Sequence, residues 1–509
     1  MKRNHQISLV FAILIVLAGS VFVLHPLIRP GFFVSDDGGW MIVRLSAFYQ
    51  SLSEGQFPVR FLGRLNDSYG YPVANFLYPG FMYLGSVIHL LGVPFVDTVK
   101  IIFAGSVVGA AIFTFLWLRT YFSVFPSVIG ALGFMFAPYV AYDVYHRGSV
   151  GEVFAFAWAA MGLYSITAKK PWLFAPAVAA LILSHNSIAL LFVGFYVAYI
   201  TVRKNWKDFF FMFVLGIGMA TFFWFPALYE QKYIVFDATL IANFREYFIT
   251  PQNWTLIGVP GIIAAAGALM IRKPRVKDFR FFLTFFFLTV FFVLPVAGFV
   301  WNMPILARLI QFPYRVLSLS VFVSAWLISY VLANLKKPAQ IIIACLFTGI
   351  GLWTTIFYIS NIEYSAEPEG YYTTNEGTTT VKDEYMPRWV VRKPGVRASN
   401  RIMFYSGQGE IEEKVVTTQT IDVVVHALES SVVQINTVYY PGWGATLDNE
   451  PVSIQYKNDQ GLIRISVPPG DHRLIASFRE TISRFVADGV SLAFLVWYMV
   501  TIVRHKRKK

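Results

Sequence analysis

Residues 317–334 read LSLSVFVSAWLISYVLAN and residues 340–360 read QIIIACLFTGIGLWTTIFYIS. Neither run contains a charged side chain, and between them lie Leu335-Lys336-Lys337-Pro338-Ala339. A run of about 18 apolar residues is long enough to cross a hydrocarbon layer about 30 Å thick. The lysine pair marks the turn between two such spans as cytoplasmic, because short loops on that side collect Lys and Arg. Two helices crossing a membrane in opposite directions follow from this stretch alone.

Moving outward, the pattern repeats along the whole chain. Of 509 residues, 56% are hydrophobic, 17% aromatic and 14% charged. Soluble proteins carry about 25% charged residues, so a water-soluble enzyme is excluded. About thirteen apolar segments recur. They lie near 7–25, 76–92, 101–118, 124–142, 151–168, 172–184, 187–202, 209–227, 254–271, 281–300, 317–334, 340–360 and 485–503. The net charge of +13 resides largely in basic clusters between spans. This is the signature of cytoplasmic loops, and nucleic acid is not an expected partner. The clusters are Lys2-Arg3, Lys169-Lys170, Arg203-Lys204 with Lys207, Arg272 to Arg280, Lys336-Lys337 and the tail Arg504 to Lys509.

Both termini therefore fall in the cytoplasm, which demands an even number of crossings. The segment 76–92, interrupted by Pro79-Gly80, is expected to lie re-entrant or in the interface, leaving about twelve transmembrane helices. The N-terminus lacks a small-x-small cleavage site and reads as a retained first span. The single cysteine, Cys345, lies inside an apolar run, so no intramolecular disulfide is available to any outer domain.

The expected fold is a mostly α polytopic membrane protein with a β-sandwich-like domain before the last helix. Three parts follow: a transmembrane domain at 1–361 with a long first outer loop at 28–75, an extracytoplasmic β-rich domain at 362–482, and a final helix with a basic tail at 483–509. In the second part, the β-prone runs Thr417–Thr420, Ile421–Ala427, Val432–Tyr440, Pro451–Tyr456, Leu462–Val467 and Arg473–Phe478 alternate with turn signals such as Pro468-Pro469-Gly470-Asp471. The remaining outer loops are placed at 143–150, 185–186, 228–253 and 301–316.

The apolar runs are almost free of charge, so the chemistry belongs to the outer loops rather than to a path through the membrane. The first loop carries Ser35-Asp36-Asp37-Gly38-Gly39-Trp40. Asp36 and Asp37 can act as general base toward an acceptor hydroxyl or coordinate a divalent cation. Equally, one of them can cap the helix that starts near Trp40. The periodicity of Ile42, Leu45, Phe48, Tyr49 and Leu52 predicts an amphipathic helix on the membrane surface. Tyr71, in Tyr69-Gly70-Tyr71-Pro72, is either an interfacial anchor or part of a substrate platform. In the second loop, Arg147 offers a planar fork to a phosphate, or pairs with Glu152 at the bundle rim. His146 and Glu152 are candidate substrate contacts, as are His185 and Asn186 in the hairpin turn Ser184-His185-Asn186. Arg245, Arg308 and Arg315 stand in outer loops, where Arg is normally scarce, and a lipid phosphate is their simplest partner. Trp443, Tyr439 and Tyr440 are either sugar-stacking groups or core.

Arranged this way, the chain resembles the glycosyltransferase-C (GT-C) superfamily, polytopic membrane enzymes with a long first outer loop bearing an acidic motif. It is more closely similar to bacterial and archaeal membrane proteins that carry the 6-pyruvoyl-tetrahydropterin-synthase-related name, a label misleading about activity. The matching residues are Ser35-Asp36-Asp37 with Arg44, Gln56-Phe57-Pro58-Val59-Arg60, Tyr69-Gly70-Tyr71-Pro72, Arg147-Gly148-Ser149 with Glu152, Ser184-His185-Asn186 and Tyr440-Pro441-Gly442-Trp443. Related sequences often place a His shortly after the acidic motif, where this chain has Trp40.

The resemblance implies a membrane glycosyltransferase in a prokaryotic plasma membrane. Its donor would be a sugar on a polyprenyl phosphate, and its acceptor a glycan, lipid or protein at the extracytoplasmic face. Asp36 or Asp37 would be the base; Arg147, Arg245, Arg308 and Arg315 would hold the donor phosphate. Two other classes remain open: a lipid-linked glycan flippase, which needs no base, and a non-catalytic assembly factor that works through its β-rich domain.

Overall fold

The computed structural model describes residues 2–236, 243–271 and 276–507. The expected basic anchors Arg272, Lys273, Arg275, Lys508 and Lys509 lie outside the described residues, as do residues 237–242 of the loop at 228–253.

Every apolar segment read from the sequence contains a helix. Among the described residues, eight helices are long and apolar enough to cross a membrane, and the chain is an integral membrane protein. Two further pairs, Trp206–Met219 with Thr221–Tyr233 and Phe279–Val293 with Pro295–Trp301, are bent by 64° and 81°, which brings the number to ten if each pair is one span. The second bend has a local cause: Leu294 is extended at ψ 150°, as the ring of the following Pro295 requires. The sequence-based number of twelve also counted Pro171–Ser184 and Val259–Leu269, helices of 14 and 11 residues. At 1.5 Å per residue these reach only about 21 and 16 Å, short of a full crossing. The helix Gly80–Leu90, within the segment expected to be re-entrant or interfacial, has 11 residues.

Helix Leu317–Ala333 occupies the centre, and every residue from Leu317 to Leu332 is buried. The last helix, Ile482–Arg507, is peripheral and packs on Thr221–Tyr229 and Trp206–Met219. Helix direction then sorts the loops. Val150–Thr167, Asn186–Arg203 and Leu317–Ala333 start at one end of the bundle and run toward Lys169, Lys204 and Lys336 at the other. The first helix delivers the 28–75 loop to the former end, and Lys337–Ile359 delivers the β-rich part there too. At the opposite end Arg203 pairs with Asp278, and the hydroxyl of Tyr199 donates to the same carboxylate at 3.1 Å.

The helix read as a surface amphipath is instead enclosed. Ten residues of Gly38–Ser53 are buried, with helices Gly80–Leu90 and Phe95–Leu118 against its apolar side and the chain after Ile359 folded over the other. Strand Tyr364–Ser365 pairs antiparallel with Phe32–Phe33, the Ser46 hydroxyl donates to the Tyr372 carbonyl, and Arg44 donates to Thr379. A protein strap thus covers the polar face of this helix, and neighbouring helices, not lipid, cover the apolar one.

Two antiparallel sheets follow. One has the order Gly409–Val416, Thr420–Ala427, Gly470–Phe478, Trp443–Leu447, Glu450–Val452; the other has Ile402–Ser406, Ser431–Val438, Leu462–Val467. Alternate residues of both face one core containing Ile421, Val423, Val433, Ile435, Ile463 and Leu474. This is a β-sandwich, and Trp443 and Tyr440 belong to its buried interior. It is fastened to the helices by a buried pair in which Arg484 donates to Glu230 at 2.8 and 2.7 Å, while Tyr440 and Asn75 donate to the same carboxylate.

Candidate functional site

Asp37 holds the N-cap position of helix Gly38–Ser53, yet its carboxylate accepts no capping hydrogen bond. The acidic motif is fixed through its backbone instead. The Asp36 N–H donates to the His146 carbonyl at 3.0 Å and the Asp37 N–H to the Arg147 carbonyl at 2.8 Å. The two loops meet so closely that only glycine fits at position 148: φ is +63°, and a Cβ would lie 2.4 Å from Ser35 Oγ and 2.6 Å from Gly38 N. The Asp36 side chain is exposed and that of Asp37 partly so. Burial, then the neighbouring Asp37, raise the pKa of Asp36 above the usual aspartate value, with Arg147 and His146 opposing. Two carboxyl groups side by side are the result.

Directly beneath lies a buried ion network. Arg147 Nη1 donates to Asp143 at 2.6 Å and lies 2.7 Å from Glu152, while Arg315 Nε donates to the same Glu152 oxygen at 2.6 Å. Tyr139 donates to its other oxygen at 3.3 Å. Arg147 and Glu152 are 2% and 0% exposed, so the network of Arg147, Arg315, Asp143 and Glu152 is separated from water. Burial works against the Arg147 charge, but Glu152, Tyr314 and Asp143 more than offset it, and its pKa is raised. His185 Nε2 stands 3.6 Å from Glu152, but burial holds the imidazole down to about 3, so it is neutral. Its Nδ1 accepts from the Ile188 N–H at 3.3 Å and caps the helix Asn186–Arg203.

Four helical segments therefore begin here: at Asp37, Ser149, His185 and the turn Pro313–Val316 that leads into Leu317–Ala333. Each directs its positive end at the same region. An aromatic rim surrounds it. Tyr142 lies edge-on to Tyr314 and Tyr358 and stacks with His146, whose Nε2 is 3.2 Å from the Tyr358 carbonyl. Tyr247 packs on Phe312 and Tyr314, and the guanidiniums of Arg147 and Arg315 lie over the Tyr314 and Phe312 rings at 5.1 and 4.7 Å.

Of the residues singled out by sequence, Asp36, Asp37, His146, Arg147, Glu152, His185 and Arg315 come together. Arg245 is exposed on the turn Phe244–Tyr247, two residues before Tyr247. Arg308, also exposed, lies on Pro304–Leu309 with its guanidinium over the Phe236 ring at 5.3 Å. Asn186 is exposed and donates to the Phe76 carbonyl at 3.4 Å. Tyr71 is placed elsewhere: fully buried, its hydroxyl bonds Thr380 and accepts from the Tyr385 N–H, which ties the first loop to the strap. Asp143, Tyr139, Tyr314 and Tyr358 were not anticipated. Only Asp143 had a signal, its i,i+4 spacing from Arg147. Among the described residues no group of three or more His, Cys, Asp or Glu is placed to hold a metal ion, so a cation would have Asp36 and Asp37 alone as acidic ligands.

No family model matches the chain, and no curated protein matches it. Several solved structures have a related arrangement. The arabinofuranosyltransferase AftD from Mycobacteria is 16% identical with a TM-score of 0.48, over 73% of this chain and 28% of that one. ArnT from Cupriavidus metallidurans, solved bound to undecaprenyl phosphate, is 15% identical with a TM-score of 0.42, over 70% and 67%. An oligosaccharyltransferase from Archaeoglobus fulgidus, tethered to an acceptor peptide, is 14% identical with a TM-score of 0.40, over 74% and 56%. The chain thus spans little more than a quarter of the length of AftD. At such scores the likeness concerns the general course of the chain, and the chemistry rests on the residues described above.

Proposed function

We propose that the chain is a membrane glycosyltransferase that moves a sugar from a polyprenyl-phosphate donor to an acceptor hydroxyl at the extracytoplasmic face. The carrying observation is the position of the exposed Asp36, beside Asp37 and hung from the His146–Arg147 backbone at the point where helix N-termini and buried guanidiniums converge. The basic residues at the far end of the helices support the sidedness, since such residues stay in the cytoplasm. The motifs from Ser35-Asp36-Asp37 to Tyr440-Pro441-Gly442-Trp443 support a place among the membrane proteins of the pterin-synthase-related name.

Asp36 takes the proton from the acceptor hydroxyl. That oxygen bonds to the anomeric carbon while the bond from this carbon to the phosphate oxygen breaks, its electron pair leaving with the lipid phosphate. Helix N-termini favour the departing anion, above a network in which Arg147 and Arg315 are matched by buried carboxylates and keep the site in place. Arg245 and Arg308, on outer loops, supply direct phosphate contacts. No step is routed through a cation.

Removing a general base costs about 10²–10⁴ in rate. The test uses purified protein in vesicles with radiolabelled pentosyl and hexosyl polyprenyl phosphates, comparing wild type with Asp36→Asn, Asp37→Asn and the double variant. Loss of transfer in the double variant is expected. Transfer at the wild-type rate would overturn the assignment, and lipid-linked glycan movement across the vesicle without transfer would favour the flippase.

A further inference from the structure

A polar cavity of about 470 Å³ opens at the other end of the helix that begins at the acidic motif. It is bounded by Gln50 and Glu54 at the end of Gly38–Ser53, by the strap and by the sandwich. Gln50 is thirteen residues beyond Asp37 on this helix, about 20 Å away at 1.5 Å per residue. Its walls are held by cross-links between all three parts. Glu54 accepts from the Thr418 N–H at 2.8 Å, Glu376 accepts from Ser68 at 2.9 Å and Arg397 at 2.7 Å, and Arg401 donates to the Asn436 carbonyl at 3.2 Å.

The lining decides the class of ligand. Three guanidiniums (Arg64, Arg397, Arg401) face three carboxylates (Glu54, Asp67, Glu376), so the formal charge cancels. A phosphate or nucleotide gains little from a balanced wall. Ala398 and Val416 are the only aliphatic side chains of the lining, too few for a lipid tail or an apolar peptide, and the rest of its apolar surface belongs to Tyr69 and the stems of polar residues. The remainder is mainly hydroxyl and carboxamide, groups that both donate and accept. A molecule dense in hydroxyls matches every one of these features.

We infer that this cavity is a carbohydrate subsite, which holds a glycan at a distance from the acidic motif. Joined to the transferase reading, on which this part of the inference rests, it grips the non-reacting portion of an oligosaccharide acceptor, several sugars from the hydroxyl presented to Asp36. Binding energy gathered there orients the reacting end.

The test is a binding measurement, independent of transfer. Full-length protein in detergent is examined by saturation-transfer NMR against gluco-, manno-, galacto- and arabino-tetrasaccharides, with inorganic phosphate as competitor. At least one tetrasaccharide should bind. Ser399→Trp, which places an indole among the lining residues, and the Gln50→Ala/Arg397→Ala pair should each weaken it tenfold or more, while Asp36→Asn/Asp37→Asn keeps it. If no tetrasaccharide binds, if phosphate displaces it, or if binding survives both cavity variants, the inference fails. Binding that is retained in a protein unable to transfer sugar would instead retain the subsite and refute only the transferase reading.

Discussion

Gly148→Ala tests whether the loop contact sets the acidic motif. A Cβ at this position would lie 2.4 Å from Ser35 Oγ, 2.6 Å from Gly38 N and 2.7 Å from Gly38 Cα. Two of these three atoms are backbone, so a rotamer change at Ser35 does not relieve the overlap. Comfortable carbon contacts lie at about 3.5–4.0 Å, so the loops must part by about 1 Å. The left-handed backbone at φ +63° adds about 1–2 kcal/mol for a non-glycine residue. Since Asp36 and Asp37 are suspended from carbonyls 146 and 147, the carboxylates move with the gap. A displacement of about 1 Å costs about 10² in rate. Sugar transfer should therefore fall about a hundredfold, with a modest loss of thermal stability by intrinsic fluorescence in detergent. Gly194→Ala, where an added Cβ meets nothing within 4 Å, serves as control and should leave both readings intact. If Gly148→Ala transfers within twofold of wild type, the loop contact does not position the base.

Four further outcomes follow from the same geometry. Glu152→Gln removes the carboxylate shared by Arg147 and Arg315 and should destabilise the protein by about 3–5 kcal/mol, while adding Arg315→Gln should recover part of the loss; strictly additive melting shifts would show that the groups are uncoupled. Asp36 must be ionised to accept a proton, so kcat/KM falls as pH drops through its raised pKa; Asp37→Asn removes a cause of that rise, and the acid limb of its residual activity should move to lower pH. Arg245→Gln and Arg308→Gln should raise the KM for the lipid donor about tenfold each, with little change in melting, a pattern expected of exposed phosphate contacts and checked by steady-state kinetics. Glu230→Gln breaks the fully buried pair with Arg484 and should make the 362–482 region cleave faster in limited proteolysis, whereas an unchanged digestion rate would mean that the pair does not fasten the sandwich.

The helices were legible because lipid imposes a simple rule, that a run of apolar residues must satisfy its own backbone. Strands such as Ile421–Ala427 were legible by alternation, since one face enters the sandwich core. Strands Ile402–Ser406, Gly409–Val416 and Trp443–Leu447 escaped notice: the first two are mostly exposed, the second of them with three glutamates, and the third follows the turn at Pro441-Gly442. The strap escaped for another reason. Its contacts with Gly38–Ser53 bridge more than 300 positions, as from Ser46 to Tyr372, and nothing local in either segment announces the other. The buried arginines follow the same logic. Asp143 and Arg147 are four residues apart on one helical turn, but Arg60 finds Glu480 and Asp488 only 420 and 428 positions later. Sequence reading thus located the acidic motif and the arginines and named the Arg147–Glu152 pair as one alternative, while the shares of Asp143 and Arg315 in that pair stayed invisible.

That balance decides what the arginines can do. Counted at formal charge, Arg147 and Arg315 are matched by Asp143 and Glu152, so Asp36 and Asp37 leave the region with an excess of two negative charges. An anionic lipid phosphate entering such a region would be repelled by carboxylates alone. Each helix N-terminus contributes about half a positive charge, so four of them roughly cancel the excess. The buried arginines therefore hold the scaffold and set a neutral background, while any net attraction for phosphate must come from cations outside the network. Arg245 and Arg308 are exposed guanidiniums on the loops at 228–253 and 301–316, Arg308 lying also over the Phe236 ring. A fixed interior that keeps the base in place, with recognition assigned to the rim, also accounts for the aromatic ring around Tyr142 and Tyr314. Tyr314 is buried between Phe312 and Arg147, and the partly exposed Tyr142 closes the rim without adding charge.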